Sequence, residues 1–229
     1  MKDTWKIKLG NTLVLKECLL DWNLEKRVIN LRIPLIIALA SYLIGNFSAA
    51  YILGKMFKKE DVREYGSKNA GATNALRVFG KKIGILAFIL DVLKGVLAVY
   101  IGGKFLDYNG KLIAGIFVVL GHNYPIILGF KGGKGIATSI GVMLSLHWPT
   151  AIVCIIIGIL IIAKFRYVSL GSITAASLVP IIGSIMKRPF NKEYFITTLI
   201  LAIMAVYRHR SNIKRLVNGK EFKIGERVK

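Results

Sequence analysis

The chain has 229 residues, with 33 Lys and Arg against 12 Asp and Glu, yet 54% of its residues are hydrophobic and its mean hydropathy is +0.56. A soluble domain of this length does not read so apolar, and the apolar residues come in blocks rather than at amphipathic spacing. The net charge of +21 does not point to nucleic acid, because the bases fall between the apolar blocks, where membrane topology places them.

Residues 1–32 include LGNTLVLKECLLDWNLEKRVINL, which reads as a surface amphipathic helix or a strand pair rather than a span. An uncharged stretch of membrane-spanning length follows at 33–54. Further spans are predicted over 83–102, 111–128, 136–147, 148–163, 168–186 and 194–207. The fold class is therefore an all-α polytopic membrane protein of about seven transmembrane helices, some short or broken, forming one domain over 33–229. Lys and Arg orient it. Twenty lie in segments 55–82, 122–135, 164–168 and 208–229, and five in the alternate set 103–111, 147–149 and 187–193. The first set is cytoplasmic, which puts the N-terminus outside and the C-terminus inside. Seven more bases beside four acids in 1–32 resist this assignment. Either the span count is off by one, or the segment is an atypical extension, or a signal peptide ends at FSAA. Cys18 and Cys154 suggest neither a disulfide framework nor a thiolate metal site.

Three polar, glycine-rich clusters interrupt the apolar blocks, all on the cytoplasmic side. The first is GSKNAGATNALR, Gly66 to Arg77. It reads either as a loop with a helix starting at Thr73 or Asn74, or as an anion cradle ending in a surface arginine. The second, GHNYPIILGFKGGKGIATS, runs from Gly121 to Ser139. Its glycine pairs around Lys134 suggest close backbone approach to a ligand. The third is YRHRSNIKRLVNGKE, Tyr207 to Glu221. Neither of the first two is a nucleotide-hydrolysing P-loop: Ala72 stands where the lysine belongs in one, and Gly135 replaces the Ser/Thr in the other. His122, His147 and His209 are followed at the fifth position by Ile127, Ile152 and Lys214, so the His-x-x-x-x-Asp relay of thioester-using acyltransferases is missing. No His/Asp/Glu cluster shares a face, and no metal is expected. Asp91 and Lys94, three apart in the second span, read as a self-neutralising structural pair or as a minor source of positive field.

These three motifs, with DVLKG at Asp91–Gly95, resemble those of the bacterial membrane acyltransferases that acylate glycerol-3-phosphate from acyl phosphate. The resemblance runs from about Leu35 to Glu221, and residues 1–32 depart from it. It implies seven transmembrane helices in the bacterial inner membrane, an external N-terminus and a cytoplasmic active site. It also implies transfer of a long-chain acyl group to the sn-1 hydroxyl, giving lysophosphatidate and phosphate, the first acylation of phospholipid synthesis. By motif position, Ser67 and Arg77 bind the glycerol-3-phosphate headgroup, Lys134 meets phosphate charge, and His209 and Asn212 line the same site. Asn69, Thr73, Asn74, His122, Gly132, Gly133 and Gly135 are substrate-binding by the same transfer. No cofactor is implied. The partners are glycerol-3-phosphate, acyl phosphate, membrane lipids and an acyl phosphate-forming enzyme, without nucleic acid. The rival readings are an organic-anion transporter with broken helices and a non-catalytic lipid-binding scaffold.

Overall fold

The computed structural model describes residues 32–227. The predicted extension over 1–32, Cys18 included, lies outside the described residues except for Arg32. The chain divides into Met1–Ile36 and Ile37–Lys229. Of the first unit only 32–36 is described, as helix. The second holds the rest of that helix, every later element and every contact below.

Helix α1 runs over 32–46 and α2 over Ala49–Lys58. A short α3, Ala72–Phe79, leads into α4, Lys81–Asn123, which folds over at Leu106–Asp107. Next comes α5, Ile136–Phe165, which folds over at His147, just ahead of Pro149. The chain ends in α6, Val168–Met186, α7, Lys192–Arg208, and α8, Arg210–Val217. Among the described residues, four stretches are long and apolar enough to cross a membrane: Arg32–Lys58, Lys81–Leu128, Ile136–Phe165 and Val168–Met186. The folds in α4 and α5 make each a pair of limbs, where the sequence reading placed separate spans.

The packing is that of a protein in lipid. Leu35, Ile85, Leu97, Leu160 and Ile203 are half exposed or more on the outer faces. The interior combines small and aliphatic residues with polar ones, with Ser41, Asn46, Asp91, Lys94, Thr138 and Thr198 buried. Without a hydrophobic drive between helices, contact depends on small residues that let backbones approach. A methyl on Gly45 would strike the Val118 carbonyl, and one on Gly121 that of Tyr42, which locks α1 to the second limb of α4. Gly95 and Gly141 do the same between α4 and α5, against the carbonyls of Thr138 and Val92.

The predicted span 33–54 is broken at Phe47–Ser48. The cause lies in α4: the Lys94 ammonium takes the carbonyls of Gly45 at 3.2 Å and Phe47 at 2.6 Å. Asn46 Nδ2 donates to the Tyr42 carbonyl at 2.9 Å, and its Oδ1 accepts from the Ile126 amide at 2.6 Å. Those bonds satisfy backbone groups that the break would otherwise leave bare in an apolar surrounding.

Candidate active site

One cavity of about 300 Å³ gathers the motifs. Ser67, Asn69, Thr73, Asn74 and Arg77 line it from the first, His122, Lys134 and Gly135 from the second, and His209, Asn212 and Glu221 from the third. Gly132 and Gly133 are not on its wall but behind it. The cavity continues from this polar mouth into an apolar slot between α5 and α6, past Ile140, Ile155 and Ala175 to Ala151 and Val179.

The first loop is shaped by one side chain. Asn74 is 1% exposed. Its Nδ2 donates to the carbonyls of Val62, Tyr65 and Asn69 at 2.8, 3.1 and 3.0 Å, while its Oδ1 accepts the Ser67 amide at 2.9 Å. Helix α3 accordingly begins at Ala72 with Gly71 as a bare N-cap, not at Thr73 or Asn74: the expected capping amide holds the loop instead. Arg77 is not the surface residue that its place after a polar loop suggested. It is 7% exposed, because the C-terminal tail folds over it. Its guanidinium stacks 5.1 Å from the Phe222 ring and donates to the Phe222 carbonyl at 3.5 Å.

The GGKG loop is clamped from behind. The Gly133 amide donates to the His122 carbonyl at 3.0 Å, and a methyl on Gly133 would collide with His122 Nε2. The other ring nitrogen of His122 lies 2.7 Å from Lys94 Nζ. Arg208 donates to the carbonyl of Gly133 at 2.7 Å and to that of Gly132 at 3.3 Å, and it stacks on Tyr124. Asn69 Nδ2 adds a bond to the Gly132 carbonyl at 3.2 Å. Gly135 has φ +79°, a left-handed conformation that favours glycine, and it opens α5 without a side-chain cap. The first amides of α5 thus stay free at the cavity, as an anion site requires.

The third motif ties the loops together through Glu221. Lys134 Nζ donates to Asn212 Oδ1, and Asn212 Nδ2 donates to Glu221 Oε1 at 2.7 Å. Arg215 pairs with Glu221 Oε2 at 2.7 Å, and Ser169 donates to Oε1 at 3.1 Å. Glu221, Arg208, Arg215 and Ser169 were not picked out from sequence. The signal for Glu221 was its setting, one of two acids in a tail 208–229 that holds eight bases.

The electrostatics favour an anion. Burial, with Arg215, Arg77 and Arg208 nearby, pulls the Lys134 ammonium down to about 8, although Glu221 opposes this. Burial also lowers Arg77. His209 is drawn down to about 4 by burial and then by Lys134, so it is neutral at pH 7. Its Nδ1 lies 2.7 Å from the Ala205 carbonyl, which fixes the proton there and leaves the Nε2 lone pair as an acceptor.

The sequence profile of the glycerol-3-phosphate acyltransferases matches residues 35–219. A glycerol-3-phosphate acyltransferase of Alkaliphilus metalliredigens is 48% identical over 196 residues, covering 86% of this chain and 98% of that protein. One from Thermoanaerobacter pseudethanolicus is 49% identical over 191 residues, covering 83% and 96%. The crystal structure of PlsY (YgiH), an integral membrane glycerol 3-phosphate acyltransferase in its glycerol 3-phosphate form, superposes with a TM-score of 0.79. It is 36% identical and covers 84% of this chain and 96% of its own. Its lysophosphatidic acid form gives 0.76 at 34% identity, covering 84% and 95%. The chain is a membrane acyltransferase and belongs to the glycerol-3-phosphate acyltransferase family.

Proposed function

We propose that the protein transfers a long-chain acyl group from acyl phosphate to the sn-1 hydroxyl of glycerol-3-phosphate. The observation that carries this reading is the cavity itself, a cationic mouth continuous with an apolar slot. Arg77 grips the headgroup phosphate, Ser67 and Thr73 hydrogen-bond to it, and Lys134 with the open end of α5 holds the donor phosphate. His209 Nε2 accepts the hydroxyl hydrogen bond and orients the nucleophile. Asn212 positions Lys134, while Asn69, Asn74, His122, Gly132, Gly133 and Gly135 shape the two loops.

The hydroxyl oxygen bonds to the carbonyl carbon, the carbon–oxygen bond to phosphate breaks, and the proton leaves on a phosphate oxygen. Lysophosphatidate and inorganic phosphate are the products. The donor choice follows from the residues at the mouth. Glu221 is tied to Asn212, Arg215 and Ser169, and His209 at about 4 is a weak base. A mixed anhydride needs neither; it needs clamps and charge stabilisation. With seven spans the site faces the cytoplasm of the bacterial inner membrane, as the charge asymmetry requires.

The test is purified protein with glycerol-3-phosphate and, separately, acyl phosphate, acyl-CoA or acyl carrier protein as donor. Lysophosphatidate from acyl phosphate alone is expected. Equal turnover with a thioester would overturn the donor assignment.

A further inference from the structure

The apolar slot is open and shut at different heights. Along α6 its lining runs from Val168 to Val179, and along the outer limb of α5 from Ile162 back to Ala151. Each is eleven residue steps, about 16 Å at the helical rise. In the upper half, Phe88 and Ile159 face the cavity yet are 42% and 57% exposed, so that half opens sideways to the apolar exterior. The lower end is closed. Met143 and Ala151 are 4% and 3% exposed and belong to a core cluster with Leu146 and the fully buried Tyr194, against which Val179 packs. Cys154, 3% exposed, lines the slot one turn above Ala151.

We propose that Met143, Ala151 and Val179, backed by Tyr194, form a floor that limits the length of the acyl chain this enzyme accepts. The proposal rests on the acyl-transfer reading above. An extended chain advances about 1.25 Å per carbon, given C–C bonds of about 1.5 Å. The slot therefore holds about thirteen carbons beyond a carbonyl at the mouth, an acyl group of about fourteen. The donor's tail comes from the bilayer, which is as apolar as the slot, so seating a methylene gains almost nothing. Selection works by exclusion instead. Chains up to the limit react alike, and longer ones must bend or push into a close-packed core.

The experiment measures kcat/KM for saturated acyl phosphates from about eight to about twenty carbons and takes the ratio of long to short donors, which cancels any loss of folded protein. Wild type should give a level profile up to about fourteen to sixteen carbons and at least a tenfold fall by about twenty. Ala151→Phe should lower the ceiling by about four carbons. Cys154→Phe, about 4.5 Å nearer the mouth, should lower it by about four more, and Met143→Ala should raise it. Long-to-short ratios equal to wild type in all three variants, or identical truncation by the two Phe substitutions, would overturn the floor. A wild-type protein that turns over no acyl phosphate of any length would overturn the reaction itself.

Discussion

Two lysines, one buried and one partly buried, stand in two polar regions of the molecule, and they are used in opposite ways. Lys94, inside α4 and 5% exposed, sits 2.8 Å from the Asp91 carboxylate and has the carbonyls of Gly45 and Phe47 and a ring nitrogen of His122 within 3.2 Å. Four partners share three protons, and nothing is left for a ligand. Lys134, at the mouth, donates to Asn212 and otherwise faces a cavity among Arg77, Arg208 and Arg215, with Glu221 already engaged. A saturated cation holds a fold together. An unsaturated one, lowered by burial and then by neighbouring arginines, keeps hydrogen-bonding capacity that an anion could take.

Substituting each lysine should therefore give contrary results. If Lys134 meets phosphate as proposed, Lys134→Met should lower kcat/KM by at least about a hundredfold, in line with the loss of one preorganised donor. Its melting temperature should hold or rise, because a partly buried, incompletely paired charge is gone. Lys94→Met leaves the buried Asp91 carboxylate without its cation, with only the His122 ring 3.5 Å away. It should cost about 3–5 kcal/mol, with most of the loss recovered by adding Asp91→Asn. If Lys94→Met melts like wild type but is inactive, the contrast fails and the α4 cluster belongs to the chemistry.

Arg77→Lys is the next largest. A guanidinium grips phosphate through parallel hydrogen bonds, whereas an ammonium is a point charge. The loss should be about ten- to a hundredfold in kcat/KM for glycerol-3-phosphate, mainly in KM, since binding is shared by ground and transition states. Because Arg77 is buried under Phe222, thermal unfolding must be followed alongside. Wild-type kinetics in a folded variant would take Arg77 out of the site.

What was legible in the sequence was whatever composition alone determines. The span 168–186 coincides with α6, an apolar run that no distant contact breaks. The glycine pairs around Lys134 declared a tight loop, and the three motifs do converge on one cavity. What was not legible was set by contacts across the chain. The break at Phe47–Ser48 is made by a lysine 47 residues away from Phe47. Arg77 looked exposed because the tail that covers it lies 145 residues on. Asn74 looked like a helix cap, and no local pattern could say that its amide would bind three loop carbonyls instead.

The smallest expected effect is the most specific. Burial pulls the Lys134 ammonium down to about 8 from the usual 10.5, so its charge is lost as pH rises through that value. In free enzyme, the charged fraction falls about eightfold between pH 7.5 and 9, and kcat/KM for the phosphate substrate should fall with it. Bound phosphate favours the ammonium, so kcat should move less than kcat/KM. Stability should run the other way. Between about 8 and 10.5 the unfolded chain holds a proton on this lysine that the folded chain lacks, so stability rises with pH across that window. Comparison with Lys134→Met isolates that contribution from other titrating groups. Lys134→Arg keeps a cation that does not titrate in this range and should flatten the kcat/KM profile. A profile level from pH 7.5 to 9 in wild type, or an equal fall in the arginine variant, would show that the ammonium of Lys134 is not the charge that meets phosphate.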